Sequence, residues 1–153
     1  MSATGLDVFD RTIQTTHVWL DDIMAEIGPD RRLAWKALSV VLHTLRDRLT
    51  VENAAHLGAQ LPLLVRGVYY DQYRPARQPS DCDSIETFVA EVGKWLTDAR
   101  AVDPVAATRA VLGVLGRHAD PGQIAKIQAV LPSSIRAFWE AIPAGREPAL
   151  ADR

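Results

Sequence analysis

Leu6, Phe9, Ile13, Leu20, Ile23 and Ile27 recur at three- and four-residue steps, with Asp and Arg between them. That period stacks them on one helical face and predicts a first helix from about Leu6 to Ile27. Gly28-Pro29 ends it, since glycine tolerates the left-handed C-cap and proline cannot continue a helix. Asp30 can cap a second helix running to about Leu49, whose apolar face is Ala34, Leu38, Val41, Leu45 and Leu49. Thr50 opens a short third helix with Ala54, Leu57 and Leu61 inward. Pro62 needs no N–H in a first turn, so it opens a fourth, with Val65, Val68 and Tyr69 inward.

The pattern lapses from Asp71 to Asp83, a polar stretch with two prolines that reads as a connection. Asp83 or Ser84 then caps a fifth helix with Ile85, Phe88, Val92, Trp95 and Ala99 on one face. Asp103-Pro104 and Asp120-Pro121 each pair a capping carboxylate with a first-turn proline, opening helices of about 104–117 and 121–130. Gln123, three residues after Asp120, can complete a capping box. Pro132 opens the last helix, to about Ile142, and 143–153 reads as a flexible tail. Nothing alternates long enough for a half-buried strand. The chain is therefore expected to be all-α, with about eight helices.

The pattern also repeats. Sliding the chain against itself by 70 residues pairs Ala37 with Ala107, Val41 with Val111, Leu45 with Leu115, Leu61-Pro62 with Leu131-Pro132, and Arg66 with Arg136. Inward-facing positions match and outward ones do not, as in a duplicated helical unit. The expected architecture is one helical domain over 1–142, built from halves of about 6–73 and 84–142 that share one core about a pseudo-twofold axis. Trp19-Leu20 corresponds loosely to Trp95-Leu96 if a gap is allowed.

Composition narrows function more than fold. In 153 residues, 48% are apolar and 24% charged, ordinary globular usage, and the formal charge of −2 gives no reason to expect nucleic acid or an anionic membrane surface. The single cysteine, Cys82, leaves no internal disulfide framework and fits a reducing, cytoplasmic setting. No secretory leader or membrane-spanning run is visible.

Chemistry-bearing residues are sparse. Glu52 and His56 are four apart, not the three of a di-iron motif, and their repeat partners are Gly122 and Lys126, so an exposed pair is expected. His43 and Asp47 have the same spacing and read as a surface pair, while His17 falls on the apolar face as a core histidine. Cys82 between Asp81 and Asp83 is a poor nucleophile, and no nucleophile elbow or phosphate loop occurs. Helix two is the most basic element, with Arg31, Arg32, Lys36, Arg46 and Arg48. Its cations either pair with Asp21, Asp22 and Glu26 of helix one or face an acidic partner or a phosphate. Arg66 and Arg136, inside apolar helices, read as clamps on a carboxylate or on helix-end carbonyls. Tyr69, Tyr70 and Tyr73 form an aromatic cluster at the linker, with Tyr69 in the core.

Trp19-Leu20, the runs LHTLRDRL, AAHLGAQLP and VRGVYY, and in the second half AVLGVL and LPSSIRAFW together resemble a bacterial family called domain of unknown function 2267. The resemblance covers about Phe9 to Trp139 and implies an all-helical fold. It brings no activity, cofactor or catalytic residue. Gly122-Gln123 departs from a family pattern that has Gly-Glu.

The expected function is thus non-enzymatic and without cofactor: a module that binds another protein or itself. Arg46, Arg48, Arg66, Arg136, Tyr70 and Tyr73 are the candidate contact residues. The alternative is a small-ligand or metal site between the halves, near Arg66, Arg136 and His43.

Overall fold

The computed structural model describes residues 2–81, 84–96 and 102–143. Among them are eight α-helices and no strand: α1 (Asp7–Ile27), α2 (Arg31–Arg48), α3 (Val51–Gly58), α4 (Leu63–Tyr70), α5 (Ile85–Trp95), α6 (Pro104–His118), α7 (Pro121–Val130) and α8 (Ser133–Glu140). One 3-10 turn, Pro75–Arg77, interrupts the connection after α4. Cys82, Asp83, Ala99 and nearly all of the tail lie outside the described residues. Among the described residues no helix is long and apolar enough to cross a membrane.

Local chemistry sets most boundaries. Asp30 accepts from the Arg32 and Leu33 N–H groups, Thr50 from Asn53, Ser84 from Thr87 and Asp103 from Val105. Each satisfies donors that a helix start leaves without a partner. Asp120 accepts from Gln123 N–H, but the box does not close: Asp120 N–H goes to Gln60 Oε1 at 3.3 Å, across the α3–α7 contact. Pro62 and Pro132 stand one position earlier than expected. Each is the N-cap itself, extended at ψ near 150°, with its carbonyl taking the N–H of Arg66 or Arg136.

The pair α2–α6 forms the middle of the molecule. Both α1 and α5 pack across that pair, α4 packs on α1, α2 and α3, α8 on α5, α6 and α7, and α3 meets α7. One contiguous core results, in which Leu38, Leu42, Leu45, Leu112, Val111 and Leu115 are fully buried. The expected faces of α2 and α3 are the buried ones, and in α4 Val65 and Tyr69 are buried while Val68, expected inward, is only partly covered and lines the groove beside α2.

Two faces differ. The buried stripe of α1 is Thr16, Trp19, Leu20 and Ile23, not Ile13, His17, Leu20 and Met24, so His17 is exposed rather than a core histidine. Leu6, Phe9 and Ile13 are also exposed, because α4 meets α1 at Thr12, whose Oγ1 accepts from Leu64 N–H at 3.0 Å. The first turns of α1 extend past that junction. In α5, Trp95 is 55% exposed and Leu96 takes the buried place at the helix end.

Candidate functional site

Five of the six expected contact residues fall around the meeting of α2, α3 and α4, and most of them are spent on structure. Arg46 is 3% exposed. It donates through Nη1 to the carbonyls of Tyr69 (2.5 Å) and Asp71 (3.1 Å) and through Nε to Asp47 (2.9 Å). The ring of Tyr73 lies over its guanidinium at 4.9 Å, and the Tyr73 hydroxyl donates to Gln78 Oε1. Burial raises the Tyr73 hydroxyl above its usual range, against the opposing pull of Arg46. Gln78 in turn donates to Arg46 O (2.6 Å) and Leu49 O (3.0 Å), filling acceptors that the end of α2 leaves open.

Arg66 is a clamp on carbonyls, as its setting implies: Nε donates to Gly58 O and Nη2 to Leu61 O, both at 2.9 Å. Arg136 is half-buried in α8 and has no counterpart bonds among the described residues. Tyr69 is in the core, with its hydroxyl donating to Ala54 O at 2.6 Å. Tyr70 folds back onto α3, where a β-carbon on Gly58 would collide with its ring. The tyrosine cluster is therefore mostly internal packing, because the chain turns back over α2 just after α4. An alanine double variant at Tyr70 and Tyr73 would report stability before it reported binding.

Histidine and carboxylate placement also differs from the sequence pattern. His43 does not pair with Asp47. Its Nε2 lies 2.6 Å from Val68 O, and burial holds the ring below its ordinary pKa. Glu52 and His56 do form an exposed pair, at 3.9 Å. Arg31 meets Asp21 at 3.8 Å, the interhelical pairing expected of α2 and α1. Asp22 instead accepts from His118 Nε2 at 2.7 Å, with Arg117 at 3.7 Å, and Trp19 stacks on the His118 ring. Nothing local in the sequence marks that tie between α1 and α6. Among the described residues no three His, Cys, Asp or Glu side chains gather as a metal-ligand set. The depression that contains His43 includes neither Arg66 nor Arg136.

Two depressions stand out among the described residues. A depression of about 350 Å³ between the start of α1 and α4 is almost wholly apolar, lined by Phe9, Ile13, Leu63 and Leu64 with Gly67 and two threonines. A larger groove of about 1150 Å³ follows the outer face of α2, walled by α5 and by the chain after α4. Trp35 and Trp95 line it, as do Arg48 and Ser80. Arg48 donates Nη1 to Thr44 O and stacks on Phe88, while its Nε, like Ser80 Oγ, is buried without a hydrogen-bond partner among the described residues.

The described residues form an eight-helix, all-α protein. The chain belongs to the family described as uncharacterized conserved protein (DUF2267), whose model matches residues 16–138. That match excludes the exposed first turns of α1. Comparison with curated proteins finds no match to the chain.

Proposed function

We propose that this protein is a non-enzymatic interaction module that self-associates through the apolar face of α1 and α4. The observation that carries it is the exposure of Phe9 (47%), Ile13 (37%), Leu63 (50%) and Leu64 (44%) around one depression, with Leu6 (51%) exposed in the turn before it. Contiguous apolar surface of that kind is characteristic of contact sites. The floor residue Gly67 has no side chain and admits close approach.

The internal repeat sharpens the point. We read 1–142 as one domain of two similar halves, α1–α4 and α5–α8, about a pseudo-twofold axis. The matching packing of α4 and α8, each on the two central-layer helices of its half and on its short partner, supports this. So do side-chain-to-backbone junctions between the corresponding helix pairs, Leu64 N–H donating to Thr12 Oγ1 and Ile85 N–H to Ser134 Oγ, with the donor and acceptor helices exchanged. Aligning those junctions sets Trp19 opposite Val92 and Ile23 opposite Leu96, all buried, in place of Trp19 opposite Trp95. Leu63-Leu64 then correspond to Ser133-Ser134. At outward positions, leucine in one half against serine in the other is what a contact surface confined to the first half requires.

Light scattering coupled to size-exclusion chromatography over a concentration series tests this. The wild type is expected to form a concentration-dependent dimer. Leu63→Glu/Leu64→Glu changes only exposed side chains and should weaken the dimer at least tenfold. A wild type that stays monomeric at the highest concentration would dismiss the reading.

A further inference from the structure

We infer that the groove along α2 binds an acidic peptide segment of a partner protein. The site is separate from the α1–α4 face and does not depend on what that face does.

Charge is the first argument. Arg32, Lys36, Arg46, Arg48, Arg74 and Arg77 line the groove against four carboxylates, in a chain whose formal charge is −2. The carboxylates are partly committed: Asp47 to Arg46 and Glu91 to the indole N–H of Trp95, at 3.0 Å. Arg32, Arg74 and Arg77 are exposed and make no salt bridge among the described residues. The positive potential of the groove is therefore open to an incoming anion.

Shape is the second. From Arg32 to Arg48 the groove follows α2 for about 24 Å, at 1.5 Å per residue. That length matches roughly seven residues of extended chain. At about 1150 Å³ the groove is also larger than most small-molecule pockets. Cations stand toward both ends, Arg32 and Lys36 at the start of α2 and Arg48 at its end, with Arg74 and Arg77 on the chain opposite. Trp35, Val40 and Trp95 supply apolar surface to the same groove. A segment with carboxylates flanking an apolar or aromatic residue complements that order. Arg48 Nε and Ser80 Oγ, both without an acceptor, lie at the end where a carboxylate has most to satisfy. A nucleic acid fits less well, because Asp71 and Asp81 interrupt the cations and repel a continuous polyanion.

The test is selection of random twelve-residue displayed peptides against the intact protein, followed by affinity measurement on the best binders. Enrichment in Asp and Glu around an apolar residue is expected. Affinity should fall at least tenfold in Arg32→Glu/Arg74→Glu/Arg77→Glu, severalfold in Trp95→Ala, and not at all in Leu63→Glu/Leu64→Glu. These side chains are exposed, so thermal melting should show each variant folded. Ser80→Ala removes a hydroxyl with no partner, and should weaken the peptide without lowering stability. Recovery of no peptide, or of peptides without acidic enrichment, would overturn the inference. So would acidic peptides indifferent to both Trp95→Ala and the charge reversal. Displacement of the peptide by millimolar inorganic phosphate, or more strongly by a single-stranded oligonucleotide than by free peptide, would reassign the groove and overturn it too.

Discussion

The Arg46 guanidinium ties the end of α4 to the end of α2 through the carbonyls of Tyr69 and Asp71, beneath the Tyr73 ring. Removing it leaves buried acceptors and Asp47 without their donor, so Arg46→Ala should cost about 2–4 kcal/mol in chemical denaturation. Arg46→Lys should recover only part, since an ammonium lacks the planar fork that reaches two carbonyls and a carboxylate. His43 supplies a pH dependence. Burial favours its neutral ring in the folded protein, whereas the unfolded chain takes up a proton near pH 6.5. Its contribution is thus fully present above about pH 6.5 and is lost as pH falls from there through the lower folded value. Melting temperature should drop more steeply between pH 7 and 5 in the wild type than in His43→Gln. Equal slopes would show that the histidine is not held neutral.

Among the elements, the chain from Asp71 to Asp81 is polar and proline-bearing, yet it is fixed by specific bonds rather than by apolar burial. Gln78 fills two carbonyls at the end of α2, and Ser80 N–H donates to Asp47 O at 2.7 Å. Gln78→Ala should cost about 1–2 kcal/mol and raise amide exchange in both the last turn of α2 and the connection. Loss of protection in the connection alone would mean that α2 does not need this cap. At α7 the capping aspartate is the signal that both starts the helix and is readable in advance. Asp120→Ala should cost about 1 kcal/mol, with the loss seen in α7 amides.

Over the whole molecule, α1–α4 and α5–α8 contribute to one core through the α2–α6 contact, so they should unfold together. Leu112→Ala, at a site with no exposure, should cost about 2–5 kcal/mol. Circular dichroism and tryptophan fluorescence should give one coincident transition, and hydrogen exchange should accelerate in α2–α4 as well as in α6–α8. Acceleration confined to the second half would mean two separately folding units. The Asp22 tie to Arg117 and His118 joins α1 to α6 but is partly exposed, so Asp22→Asn should change stability by no more than about 1 kcal/mol.

The eight helices, most of their ends, the buried faces of α2 and α3, and Val65 and Tyr69 of α4 were legible in the amino-acid order. They depend on period, caps and proline, which act within a turn or two of the chain. That Arg66 would find acceptors was legible too, but the choice of the Gly58 and Leu61 carbonyls over a carboxylate was not, and the same reading of Arg136 finds no such bonds among the described residues. Tertiary packing decided which turns of α1 are covered, and so left Phe9 and Ile13 beside Leu63 and Leu64 as an open apolar face. It also decided that Arg46 and Tyr73 are internal, that His43 bonds Val68 rather than Asp47, and that Arg32, Lys36 and Arg48 line one groove with Trp95. Those outcomes turn on contacts between residues tens of positions apart, where no local period or cap carries information about the partner.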